Sequence, residues 1–567
     1  MNKKILKLVT TLILTIGIVK PAPVGLFGQT MGYANAIQKV DSILKSKITE
    51  NEPGAAVVIV KSGRIIFNKC YGLADVEHSI PITSKTTFNL ASVSKQFTAF
   101  SILLLEKEGK INLNDHINKY LPDLPDYSKS VTIQHLLNHT SGIWDYNDMM
   151  ITFGGYNELD HYTLNEVIAF LKKQKELLFN PGSQWVYSNS NYILLALIVE
   201  KVTGMSFQQW IKNNVFDPLD MKNSAFIGYS TQLISQRAGH YQKVDGIINN
   251  YGSNWVNFCG HSHLYSNTED MAKWMDNFRT KKIGGERTVA QMFQKGKLND
   301  GSESTYGNGL GIGKRNGYVF IQHSGSTGGY KTFMIYCPDT ELGITILANI
   351  NSLDVNSVGF SIYDLVLDKP TIEENILGNS QKFLPFNKEF AEKCTGGFLV
   401  EGLNAKVGVN AEEGFLHCAF FGLGEEDLFQ AGDNSFKNIS GEVGIEFSDC
   451  NTQKFGKAKL MVRGQSMAAN RIEIEEKNIA DCNNTCVGNY YCDAYSTVYG
   501  IRLENNHLVL YHNRIGDMKM QQIDTDEFFC KLGFVKFIRN NSTEIIGFTF
   551  TPSSDRFFFQ SADFKKI

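Results

Sequence analysis

The sequence predicts a mixed α/β unit with antiparallel strand pairs over roughly its first two-thirds, followed by an all-β tail. Three observations predict this. Strand–turn–strand patterns at Ala55–Phe67 and from Val319 to Ala348 enclose a long region whose apolar residues recur at helical spacing. Beyond residue 388 that spacing gives way to short alternating strands and turns. The tail also repeats itself without a gap. Cys394 matches Cys486, Gly396 matches Gly488 and Phe398 matches Tyr490; Leu416 matches Leu508, Phe436 matches Phe528 and Val443 matches Val535, every pair 92 apart (486 − 394 = 92). Two copies rich in alternating strands read as two small antiparallel β-barrels or sandwiches.

A chain of 567 residues has room for roughly two to four domains. A net charge of −3 gives no basic footprint for nucleic acid. At the N-terminus Lys3, Lys4 and Lys7 precede the apolar stretch Leu8–Val19, and Lys20 closes it. That stretch is short for a bilayer span and reads as an export signal. Ala34-Asn35-Ala36 suits cleavage, making 1–36 a signal peptide and the product secreted, periplasmic or held in the cell envelope. The long interval from Lys20 to Ala34 keeps an uncleaved membrane anchor as the alternative. Of ten cysteines, seven lie at or beyond Cys394, an odd number that fixes no pairing. No Cys-x-x-Cys occurs, and the expectation is buried thiols with one or two bridges rather than zinc.

Taken in order, residues 37–50 read as a helix. Ala55–Val60 reads as a buried strand, Lys61-Ser62-Gly63 as a turn and Arg64–Phe67 as the returning strand. The stretch Phe88–Phe97 then carries Ser92 and Lys95 at the head of an apolar run through Phe100 and Ile102–Leu105. Gly109 suits the left-handed end of that helix. Residues three apart share a helix face, so the amine sits one turn behind the hydroxyl. A serine hydroxyl becomes a nucleophile only when a neighbour takes its proton and donors await the developing oxyanion. The spacing alone means little, because Ser42-Ile43-Leu44-Lys45 has it too, with no evident purpose.

Ile133–Leu137 begins another helix and runs into Asn138-His139-Thr140-Ser141-Gly142. Pro181–Asn191 has turn residues at both ends and precedes an apolar helix over Tyr192–Val202. Within it Tyr187 and Asn189 lie two apart, on one side of an extended segment. Tyr306-Gly307-Asn308 has the same spacing by chance. From Val319 an apolar strand runs into a polar, glycine-rich end with His323, Gly325 and Ser326, where glycines let a substrate backbone come close.

Ser-x-x-Lys, Tyr-x-Asn and His-x-Gly therefore stand in one order. They are accompanied by Tyr71-Gly72-Leu73-Ala74-Asp75, Leu136–Gly142 and Tyr265-Ser266-Asn267-Thr268-Glu269-Asp270-Met271. On these residues the chain resembles the serine β-lactamase and penicillin-binding superfamily over roughly residues 37–370. It looks most like the branch of class C β-lactamases, D-alanyl-D-alanine carboxypeptidases, D-aminopeptidases and related esterases. The resemblance implies a β-lactamase-like α/β (α+β) domain, a central antiparallel sheet flanked by helices. It also implies that Ser92 forms an acyl-enzyme and that Lys95 and Tyr187 share the work of taking its proton. Both reference pKa values are about 10, and which group is the base stays open. Asn189 would orient Lys95 and hold the substrate amide. His323, Gly325 and Ser326 would line the substrate, with the backbone N–H groups of Ser92 and Ser326 receiving the oxyanion. No metal and no cofactor is implied.

Two departures matter. Class C β-lactamases carry lysine where this chain has His323, and a histidine is uncharged much of the time at neutral pH. This weakens the β-lactamase reading. Gly260-His261-Ser262-His263-Leu264 replaces the usual small residues; His261 and His263 are expected to be walls of the cleft, with a metal pair lacking a third ligand as the alternative. Residues 371–388 read as a linker, 389–477 and 478–567 as the two barrels, a layout similar to that of the superfamily's D-aminopeptidases. The barrels either brace the enzyme or lend a loop that selects substrates. The expected function is an exported serine hydrolase of D-amino-acid peptides or peptidoglycan fragments, a D-aminopeptidase or DD-carboxypeptidase. Within the fold the rival is an esterase or β-lactamase; outside enzymes it is a non-catalytic binder of a cell-wall ligand. Expected partners are a small peptide, ester or β-lactam substrate, or peptidoglycan itself. The oligomeric state is not legible.

Overall fold

The computed structural model describes residues 25–567 except 157–159, 162, 230, 245, 253–257, 368–382, 402–404, 412–413, 421–423, 439–442, 451–453, 463–464, 473–484, 506, 525, 531–532 and 553–561. The expected signal core, most of the expected linker and Cys482 lie outside the described residues.

In the N-terminal unit, helix α1, Gly25–Lys47, runs through the expected cleavage point at Ala36-Ile37. Ala36, Val40 and Leu44 recur every fourth residue and are all buried, as one face of an amphipathic helix should be. Strands β1 (Ala55–Lys61) and β2 (Arg64–Tyr71) form the first hairpin. Helices α2 (Lys95–Lys107), α3 (Tyr146–Thr152), α4 (Leu164–Lys173) and α5 (Asn189–Thr203) follow. Then come the short strand β3 (Leu264–Ser266) and helix α6 (Thr268–Thr280). The other strands of the main sheet are β4 (Lys295–Lys297), β5 (Glu303–Gly307), β6 (Gly311–Arg315), β7 (Tyr318–Thr327), β8 (Tyr330–Cys337) and β9 (Leu342–Ala348), and α7 (Val355–Val366) follows them. They build one antiparallel sheet in the order β4-β5-β6-β7-β8-β9-β1-β2. The two hairpins visible in the sequence thus meet where β9 pairs with β1.

Both faces of that sheet are covered. Residues of α2, α5 and α6 share one core with Val58 and Met334, while α1 and α7 share another with Val57, Ile59 and Ile335. Neighbouring strand residues point to opposite faces, so β1 feeds both cores. In α2, Phe97, Phe100, Ile102, Leu103 and Leu105 are fully buried. Each is worth roughly 1.5–3 kcal/mol, and together they hold the helix that carries Lys95. Among the described residues no helix is long and apolar enough to cross a membrane.

The tail holds two β units. The first is a closed eight-stranded barrel from Gly396–Val400 to Gln465–Ile472. The second is a nine-stranded sheet from Gly488–Cys492 to Ala562–Lys566. Its edges, Gly516–Lys519 and Gln521–Asp524, follow one another in the chain but are not paired with each other among the described residues. A register shift between Gln522 and Asp524 falls on that edge, and such irregularities end pairing. The repeat is visible at one corner. A Cβ on Gly396 would meet the Arg471 side chain at 2.3 Å, and one on Gly488 would meet Lys566 at 3.0 Å. Arg471 lies over Phe398, and Lys566 over Tyr490. Cys486 is disulfide-bonded, whereas Cys70, Cys259, Cys337, Cys394, Cys418 and Cys492 carry thiols.

The second β unit packs on the N-terminal unit. Met149 and Phe153 are buried within its apolar core, and Phe153 stacks on Tyr495 at 4.6 Å between ring centroids. Lys173 donates to the Asp493 carbonyl (3.1 Å), and Arg514 pairs with Asp160 (3.1 Å).

Candidate active site

The nucleophile turn is built by its neighbours. Phe88 and Asn89 pair with β3, and the Ala91 N–H donates to Asn89 Oδ1 (2.9 Å). Ala91 adopts φ +47, a left-handed conformation costing a non-glycine residue roughly 1–2 kcal/mol. Ala91–Ser94 forms a 3₁₀ turn, so Ser92 stands just ahead of the α-helix rather than within its first turn. Strand β7 is pressed onto this turn. A Cβ on Gly325 would lie 2.5 Å from the Leu90 carbonyl oxygen and 2.9 Å from Ala91 Cβ, so only glycine fits. Thr332 on β8 donates its hydroxyl to the same carbonyl (2.7 Å). Ser326 follows directly in β7, paired with Lys331.

Lys95 is completely buried. Its Nζ donates to Ser92 Oγ (3.0 Å), Asn189 Oδ1 (2.8 Å) and the His261 carbonyl (2.8 Å). Three acceptors match the three N–H bonds of an ammonium. The Tyr187 ring stands 4.8 Å from Nζ, and the Tyr192 ring 5.7 Å. Ring faces attract a cation, the more so without water. Ser92, Lys95, Tyr187 and Asn189 are thus brought together from separate parts of the chain.

His323 lies 6.4 Å from Tyr187, ring to ring. Its Nδ1 is 2.6 Å from the Ser324 carbonyl and its Nε2 3.0 Å from the Tyr306 hydroxyl. A carbonyl only accepts, so Nδ1 carries the proton and Nε2 receives the phenol. Burial, with Lys95 nearby, pushes the imidazole down to about 3. His323 is therefore neutral and offers no positive charge. His261 and His263, expected as cleft walls, are buried, and Ser262 Oγ bridges His261 Nε2 and His263 Nδ1. Burial and then Lys95 hold both rings neutral, His263 down to about 4 and His261 well below its ordinary value. Among the described residues no three His, Cys, Asp or Glu side chains gather to hold a metal.

Three contributors escape a reading of the sequence. His139 packs its ring 4.4 Å from Tyr187, and its Nδ1 accepts the Ser188 N–H (3.1 Å). It lies within the phrase Leu136–Gly142, which by itself assigns it no role. Asp145 accepts the backbone N–H of Asn189. Tyr146 donates its N–H to Ser190 Oγ (2.8 Å) and places its hydroxyl 3.0 Å from His261 Nε2. Neither residue belongs to a pattern, and nothing in the sequence singles them out.

A hydroxyl hydrogen-bonded to a buried lysine at the head of a buried helix, beside a two-faced antiparallel sheet, is the arrangement of the β-lactamase and penicillin-binding fold. The Beta-lactamase family profile matches residues 37–360, more than half of the chain, and the protein belongs to that family. It is 29% identical over 324 residues to Protein flp of Staphylococcus aureus strain MW2, covering 56% of this chain and 63% of that relative. It is 28% identical over 349 residues to Penicillin-binding protein 4* of Bacillus subtilis, covering 56% of this chain and 72% of that relative. The match thus spans less than two-thirds of flp. Among solved structures, the octameric penicillin-binding protein homologue from Pyrococcus abyssi aligns with a TM-score of 0.54 at 24% identity, covering 76% of this chain and all of that one. FmtA from Staphylococcus aureus aligns with a TM-score of 0.50 at 22% identity, covering 59% of this chain and 87% of that one. At these identities the structural likeness speaks for the fold.

Proposed function

We propose that the protein hydrolyses amide or peptide bonds of small D-amino-acid substrates or wall-derived peptides through an acyl-enzyme on Ser92. The observation that carries the proposal is Lys95, buried and shared among Ser92 Oγ, Asn189 Oδ1 and the His261 carbonyl. Ser92 Oγ attacks the substrate carbonyl while its proton passes to the Lys95–Tyr187 pair. The backbone N–H groups of Ser92 and Ser326 receive the oxyanion. The amine then leaves with that proton, and water cleaves the ester.

Neutral His323 favours a substrate with no free carboxylate at that end. A carboxylate would find there an Nε2 that carries no proton and already accepts from the Tyr306 hydroxyl, and burying an unpaired charge is costly. This supports an aminopeptidase or amidase above a DD-carboxypeptidase. Export belongs to the same proposal, supported by Lys3, Lys4 and Lys7 ahead of Leu8–Val19; cell fractionation that leaves the protein in the cytosol would remove it.

Incubation with a fluorescent phosphonate and with fluorescent penicillin, followed by peptide mapping, is the direct test, with label expected on Ser92. Folded protein labelled by neither reagent would leave a ligand binder. Turnover of D-amino acid amides, D-alanyl-D-alanine peptides, p-nitrophenyl esters and a cephalosporin then ranks substrates. Fast cleavage of the D-alanyl-D-alanine peptide with none of the amide would overturn the reading of His323.

A further inference from the structure

Helix α3 has seven residues, too few to be stable alone. Its position is therefore set by what it rests on. It carries two adjacent stripes, each joining residues four apart. Tyr146 and Met150 are buried in the catalytic core, whereas Met149 and Phe153, the latter just past the helix, are buried in the core of the second β unit. Phe153 stacks on Tyr495 and meets Phe550 edge-on at 5.9 Å. The chain beyond it stays against that unit: a Cβ on Gly155 would lie 1.8 Å from the His512 ring.

The other stripe leads to Lys95. Tyr146 holds the ring of His261, whose carbonyl accepts from Lys95. Asp145, one residue before the helix, holds the backbone of Asn189, whose side chain accepts from Lys95. Two of the three acceptors around the lysine are thus braced from one short helix, and that helix is seated in another domain. On the reading that Ser92 and Lys95 form the hydrolytic site, we propose that the second β unit is a positioning element of that site. Through Phe153 and α3 it fixes where Asn189 and the His261 carbonyl hold Lys95.

The test is the rate at which a fluorophosphonate modifies Ser92 in the full-length protein, measured from pH 5 to 9. Phe153→Ala should slow modification roughly three- to thirtyfold. It should also move the midpoint of the pH profile, because the acceptors that favour the Lys95 cation shift. Phe153→Leu, which refills most of the volume, should restore both. Should Phe153→Ala fail to fold, Arg514→Glu carries the same test, since it sets like charges against Asp160 at the exposed rim of the contact. A variant that modifies Ser92 within about twofold of wild type, or more slowly with an unmoved pH profile, overturns the proposal. Wild-type protein that is never modified on Ser92 would instead remove the hydrolase reading beneath it.

Discussion

Ser42-x-x-Lys45 and Ser92-x-x-Lys95 have the same spacing and opposite surroundings. On α1, Ser42 returns its hydroxyl to the Gln38 carbonyl of its own helix (3.0 Å), the local bond that helical serines ordinarily make. Lys45 is 66% exposed and pairs with Asp41 at 2.9 Å. At the start of α2, Lys95 has no exposed surface and donates to Ser92. Its other acceptors lie 94 and 166 residues further along the chain. Spacing makes neighbours of a hydroxyl and an amine. Burial of the amine and acceptors distant in the chain set the second pair apart from the first.

The sharpest way to break this contrast is to remove each hydroxyl in turn. Ser92→Ala should lower turnover of the best substrate by on the order of 10⁴–10⁶, and Ser42→Ala should leave it unchanged. A loss below about tenfold at Ser92 would end its role as nucleophile. Removing the amines comes next. Lys95→Met should lower turnover by roughly 10²–10⁴, the usual worth of a positioned proton acceptor. It should destabilise the fold as well, because Asn189 Oδ1 and the His261 carbonyl lose a buried donor. A Lys95→Met enzyme within about tenfold of wild type would leave Tyr187 as the sole base.

The two regions also separate along the pH axis. His263 titrates near 6.5 unfolded and at about 4 folded, depressed by burial and by Lys95. Its contribution is fully present above pH 6.5 and is lost as pH falls through 4. It amounts to roughly 3 kcal/mol if the whole difference counts. His261 shifts in the same direction. Beside Ser42, the Asp41 carboxyl is held below the usual carboxylate range, first by the Tyr71 hydroxyl and then by Lys45. A depressed carboxylate contributes above its unfolded value, near 3.9, and loses that contribution only below it. Urea unfolding at pH 7, 5 and 4 should therefore show stability already falling between 6.5 and 4. His263→Asn should flatten that fall, asparagine being among the residues that tolerate the φ of +70 at this position. An equal slope in both proteins would show that another group controls the acid transition.

How much of this was legible follows from the range of each interaction. The β1–β2 hairpin, the strands from β7 to β9 and the helix ending at Gly109 are set by local periodicity and turn residues, and they stand where the sequence places them. The 92-residue repeat indicates two alike β units, but not that one closes into a barrel while the end strands of the other are not paired with each other among the described residues. The chemical residues could be named because a hydroxyl, an amine, a phenol and an amide in order form a recognisable set. The roles of their supports could not. The Asp145 carboxylate accepts a backbone N–H, His261, expected as a wall, acts through its carbonyl, and Gly325, expected to line the substrate, acts through the absence of a Cβ against Leu90 and Ala91. None of these roles demands a side-chain type that stands out in a list of residues. His323 is the instructive middle case. Its identity is visible in the sequence, but its neutrality depends on burial and on Lys95, carried by a distant helix.

The smallest predicted effect bears most directly on the contrast. Lys45→Met removes an exposed amine from a pair with Asp41, yet Asp41 keeps Lys69 (3.0 Å) and the Tyr71 hydroxyl (2.6 Å). Surface pairs of this kind are worth about 0–1 kcal/mol, and the remaining partners hold the carboxylate in place. The urea midpoint should therefore move by less than about 0.5 kcal/mol equivalent at constant slope, with Ser92 modification by phosphonate unchanged. Ser42→Ala should stabilise α1 by a few tenths of a kcal/mol, since alanine is the better helix former and no buried partner is lost. A Lys45→Met protein that modified Ser92 several-fold more slowly would mean that α1, on the far face of the sheet, reaches the nucleophile through β1, and that the same spacing in the two places is not merely chance.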